Sequence, residues 1–111
     1  MNNLTEQFEK EIVQRITKNL LDIQVLRLIQ TQSMWGYKIK KQAEEKFEVK
    51  LRHGALYPLL NALEQNGFTT GQKQQQRGRT RKVYSITEKG NHYVEAYSNV
   101  LKKQIQKQDM I

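Results

Sequence analysis

Leu56, Leu59, Leu60 and Leu63 stand at i, i+3, i+4 and i+7, and Asn66-Gly67 follows closely. The spacing predicts a helix over 52–66 whose leucines face a core, and Asn-Gly ends it by offering a residue that accepts the left-handed conformation. At about 100° per residue the opposite face gathers Gly54, Pro58, Asn61 and Gln65, with Ala55 and Tyr57 at its edges. Arg52 and His53 lead into it. The outer face is therefore slim where the helix begins, although better helix formers than Gly54 or Pro58 exist. Pro58 is tolerable only because the helix has barely started, and it should loosen or bend that turn.

Other elements follow from the same kind of spacing. Leu4, Phe8, Ile12, Ile16 and Leu20 recur every fourth position, with Val13 and Ile23 widening the stripe, so 4–30 reads as helix. Thr17-Lys18-Asn19 are poorer helix formers and predict a break, giving an N-terminal extension helix and a core helix near 19–30. Ser33 is the expected N-cap of a next helix through Phe47, with Ile39 and Ala43 on one face. Val49-Lys50-Leu51 alternates like a minimal strand. Phe68-Thr69-Thr70 and Val83-Tyr84-Ser85-Ile86 have strand character and flank the polar GQKQQQRGRTRK, where Gly78 supplies a reversal. Thr87 caps a last helix bearing Tyr93, Val94, Tyr97, Val100, Leu101 and Ile105. The expected fold is mainly α with a small β-hairpin, a winged helix-turn-helix. Its expected parts are an extension helix at 1–18, a winged-helix domain at 19–87 and a C-terminal helix at 88–111.

Charge distribution points to the partner. The net charge is +8, yet residues 1–49 hold eight Lys/Arg against seven Asp/Glu, and residues 83–111 hold four against three. Residues 50–82 hold seven against one, with only Glu64 to offset Lys50, Arg52, Lys73, Arg77, Arg79, Arg81 and Lys82. Such a local excess suits a polyanion. A chain of 111 residues is the size of one domain, and a hydrophobic content of 37% is lean enough that a second copy is expected to complete its apolar surface. The absence of cysteine excludes disulfides and thiolate metal sites. No h-region or membrane-length apolar run occurs, which gives a cytoplasmic expectation. His53 and His92 have no partner at metal spacing, and no phosphate-binding glycine loop is present, so neither an enzyme nor a cofactor is expected.

Three motifs in register resemble the PadR-type transcriptional regulators. Trp35-Gly36-Tyr37-Lys38-Ile39 resembles that family's helix-two motif, with Trp35 where His is usual. Gly54-Ala55-Leu56-Tyr57-Pro58-Leu59-Leu60 with Leu63-Glu64 and Gly67-Phe68 is similar to its recognition-helix motif, with His53 where Ser or Pro is more frequent. Arg81-Lys82-Val83-Tyr84 through Thr87-Glu88-Lys89-Gly90 resembles its second wing strand and exit. Together they cover about 20–90. The single helix after the wing is similar to the small branch of the family. The resemblance implies a repressor-like homodimer joined through the C-terminal helix, often with help from the N-terminal one. Phe8, Ile12, Ile16, Tyr93, Tyr97, Leu101 and Ile105 are the residues expected at that seam.

The expected interface is with double-stranded DNA. Helix 52–66 would enter the major groove, with Gly54, Ala55 and Pro58 compact for close approach and His53 and Tyr57 beside them. Arg52 and Asn61 are the expected base readers, since Arg pairs bidentately with guanine and Asn with adenine. Lys73, Arg77, Arg79 and Arg81 on the wing, and Tyr37 and Lys38 on the second helix, would hold phosphates. Tyr57 and Tyr84 also suit plain packing, and a solvated wing is the simpler account of Gln74, Gln75 and Gln76. Trp35 is expected either to fill core space beside the last helix or, by resemblance to multidrug-sensing relatives, to line a pocket between subunits for a small apolar effector. Two other classes remain open: a protein-interaction or assembly module, and a nonspecific chromatin-like nucleic-acid binder.

Overall fold

The computed structural model of the chain describes residues 3–47 and 50–109. Helix α1 (Asn3–Asn19) is followed by α2 (Leu21–Thr31), strand β1 (Met34–Trp35), α3 (Gly36–Phe47), α4 (His53–Gln65), β2 (Thr69–Gln76), β3 (Arg79–Ile86) and α5 (Glu88–Asp109). The strands form one antiparallel sheet in the order β1-β3-β2. This is a winged helix, with α3 and α4 as the helix pair and β2-β3 as the wing.

The core sits where α2, α3 and α4 meet the inner face of the sheet. Val25, Leu26, Ile39, Ala43, Leu56 and Leu60 are fully buried there, with Ile29, Leu63, Tyr84 and Val94 close behind. Leu59, the fourth member of the α4 stripe, is partly buried against the same cluster. Burying a Leu or Ile side chain contributes about 1.5–3 kcal/mol, so the leucine stripe alone anchors α4 by several such increments. At its end the Gly67 N–H donates to the Glu64 carbonyl and the Phe68 N–H to the Leu63 carbonyl, each at 3.0 Å. Gly67 has φ 80°, so the pair of bonds closes the helix in a Schellman motif that a Cβ would strain.

Thr87 begins α5 as expected. Its Oγ1 accepts the Gly90 N–H at 3.0 Å and donates to the Gly67 carbonyl at 2.7 Å, tying the start of α5 to the end of α4. The chain breaks at Leu20, just after the expected Thr17-Lys18-Asn19, which themselves stay in α1, and α2 starts there without any side-chain cap.

Several expectations are corrected. Ser33 does not cap α3: its hydroxyl pairs with the Ser85 hydroxyl at 2.7 Å, and the residues between it and the helix form β1. Lys50 and Leu51 belong to no strand, and Val49 lies outside the described residues. The third strand is instead β1, where Met34 pairs with Tyr84 and Trp35 with Val83. The wing is longer than the apolar pattern implied, because the glutamine and arginine stretch continues the ladder to Gln76 opposite Arg79. Among the described residues no helix is long and apolar enough to cross a membrane.

Candidate nucleic-acid interface

Arg52 precedes α4 in an extended conformation, φ −74° and ψ 144°, and its carbonyl receives the Ala55 N–H at 2.9 Å. No side chain caps this end, so the free N–H groups of the first turn keep their capacity for an outside acceptor. Gly54, Ala55, Pro58 and Asn61 are all exposed, as is Arg52. A Cβ built on Gly54 would meet nothing within 4 Å, so no contact inside the chain accounts for glycine there. Tyr57 is 38% exposed, and its ring lies against Gly36 at the start of α3, which makes it a spacer between the two helices as well as a surface group. His53 starts the helix, but its side chain lies outside the described residues.

On α3, Tyr37 is half exposed and Lys38 is half buried one residue further along. The wing is closed by a two-residue turn, Arg77 at φ 51° and Gly78 at φ 77°. Two successive positive φ values match the twist of a tight hairpin, and Asn-Gly or Asp-Gly would satisfy them most easily. An arginine in that position costs stability and sets a guanidinium at the tip.

The register divides the wing cations between two faces. Gln74 pairs with Arg81 and Gln76 with Arg79, which puts both arginines on the outer face, while Lys73 pairs with Lys82 on the face that continues the core side. Lys73 thus stands apart from Arg79 and Arg81. Lys82 is not free: its Nζ donates to Glu64 Oε1 at 2.6 Å, and the other carboxylate oxygen accepts the Gly71 N–H at 3.1 Å. The hydrogen bond to Glu64 holds the Lys82 ammonium above its ordinary pKa of 10.5. The one carboxylate of this segment is therefore committed to one lysine, and among the described residues Arg52, Lys73, Arg77 and Arg79 have no acidic partner. Neither role of Glu64 follows from local spacing; its signals in the sequence are its place on the core-facing stripe and its being the one acid among seven cations in 50–82.

Trp35 does not fill the core. It pairs with Val83 on the outer face of the sheet, half buried, with the Arg81 guanidinium 3.7 Å above its ring and the Tyr37 ring 5.4 Å away. Arg81 is correspondingly half buried, unlike exposed Arg77 and Arg79.

The apolar stripes of α1 and α5 differ in burial. Leu4, Phe8, Ile12, Val13 and Ile16 on α1 are each about half exposed, from 47% to 58%, and Val100, Leu101 and Ile105 on α5 range from 42% to 60%. Tyr93 and Tyr97 differ from these. Tyr93 stacks on Phe68 at 4.4 Å, Tyr97 meets Tyr93 edge-on at 5.8 Å, and both pack against the chain's own core. Burial and the nearby Asp22 carboxylate raise both phenols above their usual pKa. Both rings, expected at the seam between copies, pack at least in part within the chain itself. Among the described residues no group of His, Asp or Glu is gathered to hold a metal ion.

The arrangement is shared with known proteins. The model of the transcriptional regulator PadR-like family matches residues 25–96. A transcriptional regulator of Thermoplasma acidophilum is 26% identical over 86% of this chain and 90% of its own, with a TM-score of 0.70. A PadR family transcription regulator of Clostridium difficile is 25% identical over 83% of this chain and 99% of its own, at 0.70. A PadR-like transcription factor of Bacteroides fragilis is 19% identical, covers 97% of each chain and reaches 0.75, a likeness of fold. No match is found among curated proteins. With the family model spanning the three helices, the wing and the start of α5, the chain belongs to the PadR-like family of DNA-binding transcriptional regulators.

Proposed function

We propose that the protein is a homodimeric repressor that binds a specific duplex site, with the start of α4 in the major groove and the wing along the backbone. The observation that carries this reading is the exposed, uncapped, slim start of α4, where nothing in the chain itself accounts for Gly54. Arg52 and Asn61 are the base readers in this account; Gly54, Ala55 and Pro58 admit the helix, and His53 and Tyr57 border it. Tyr37, Lys38, Arg77, Arg79 and Arg81 take phosphates, and Lys73 meets the backbone from the other face of the wing. The exposed stripes of α1 and α5 form the seam between copies, through Phe8, Ile12, Ile16, Leu101 and Ile105. Two-fold symmetry then sets two half-sites about 34–36 Å apart, one turn of DNA. Repression follows from occlusion of whatever overlaps the site.

Selection of bound duplexes from a random pool at two salt concentrations tests this. A palindromic consensus that persists at the higher salt supports it. Retention without a consensus would mean a nonspecific binder, and no retention would favour a protein-interaction module.

A further inference from the structure

A run of aromatic contacts links α4 to the wing. Tyr57 lies so close to the Gly36 backbone that a Cβ there would come within 2.9 Å of its Cε1. The neighbouring Tyr37 ring is tilted 31° against Trp35, and Trp35 carries Arg81 on its other contact. Trp35 is itself fixed in the sheet by its pairing with Val83. The start of α3 thus meets α4 at Gly36, and the strand just before it meets the wing at Trp35.

The chemistry of the stack matters for Arg81. A guanidinium that stacks by its face keeps its in-plane N–H donors for another acceptor. Among the described residues Arg81 has no carboxylate partner, and with Gln76 and Arg77 it lines an open depression on the wing. Two guanidinium groups and an amide around one depression suit a phosphate oxygen. Holding a long side chain on an aromatic face before binding also lowers the ordering cost of the contact.

We infer that Trp35 is a positioning residue of the DNA interface, whose indole holds Arg81 ready to take a backbone phosphate beside Arg77. This rests on the duplex binding proposed above. Trp35 is the only tryptophan, so its emission reports the stack directly.

The test measures affinity of the full chain for a mixed-sequence duplex across a salt titration, for the parent, W35L, W35F, R81A, R81K and W35L/R81A. The expected results are a two- to five-fold loss, to about the scale of an exposed cation–π contact, in W35L and R81K. W35F recovers most of that loss, R81A flattens the log-log salt slope by about 0.9 per subunit, and W35L adds nothing on the R81A background. R81A also changes Trp35 emission in the free protein. Parent-like binding by W35L and R81K overturns the inference, as does an equal W35L loss in both backgrounds, which is what a packing role gives. If W35L lacks a cooperative melt, R81K decides, because it leaves Trp35 in place. A parent that does not bind duplex overturns the DNA reading itself, a different failure from a parent that binds while Trp35 is indifferent.

Discussion

Glu64 on α4 and Lys82 on β3 form an ion pair of 2.6 Å that fastens α4 to the wing, and the same carboxylate caps the Gly71 N–H on the sheet edge. Both groups are partly exposed, so the pair is worth more as a geometric tie than as stability. The Lys82 pKa is raised, chiefly by the hydrogen bond to Glu64. A raised lysine contributes stability in full below its unfolded value and loses it as pH climbs through the folded value. Thermal melts over about pH 9–12 should therefore show a decline in the parent that is smaller in Glu64→Gln. Tyr84, Tyr93 and Tyr97, also raised, lose protons in the same range, so the difference between parent and variant is the quantity to read.

The wing tip separates stability from binding. Arg77 occupies a left-handed conformation that costs an ordinary residue about 1–2 kcal/mol and Asn less. Arg77→Asn should raise stability by up to about 1 kcal/mol in chemical denaturation. The same variant should bind duplex more weakly, with a salt slope flatter by about 0.9 per subunit.

Gly54 makes the same separation on α4. Its surroundings are open, so Gly54→Leu should leave the fold intact and gain up to about 1 kcal/mol from helix propensity. Site-specific binding should fall by at least tenfold, about 1.4 kcal/mol, since the side chain stands between helix and bases. A variant that is both more stable and equally specific would remove α4 from the groove.

The seams predict oligomeric state. Leu101→Glu with Ile105→Glu, or Phe8→Glu with Ile12→Glu, changes residues already exposed in the single chain and should leave its helical content unchanged. Sedimentation equilibrium should show the parent as a dimer and each pair as shifted toward monomer. Tyr97→Glu should instead lower the melting temperature, because that ring packs on the chain's own core.

What could be read from the residues was whatever local spacing dictates. The α4 stripe, the Gly67 stop and the Thr87 cap are local, and the coordinates place them where the sequence predicts; the break expected at Thr17–Asn19 falls at Leu20, just beyond them. β1 could not be read, because two residues carry no period and become a strand only by pairing with Tyr84 and Val83. The outer half of the wing is hidden because its polar stretch carries no apolar alternation, and only cross-strand pairing makes it a ladder. On α5 one broad stripe is divided: Tyr93 and Tyr97 pack on the chain's own core, Leu101 and Ile105 are exposed, and spacing alone cannot tell them apart. Of the two places open to Trp35, only the core one is excluded, since the side of a sheet that a residue takes is decided by a strand nearly fifty residues away.

The central claim is that the α4 start and the arginine wing of each of two copies grip one face of a duplex. Hydroxyl-radical footprinting on a selected duplex tests it most directly. Two protected patches on one side of the helix, centred about 34–36 Å apart, are the predicted result. Uniform protection, or a single patch that Arg52→Ala leaves unchanged, would contradict it.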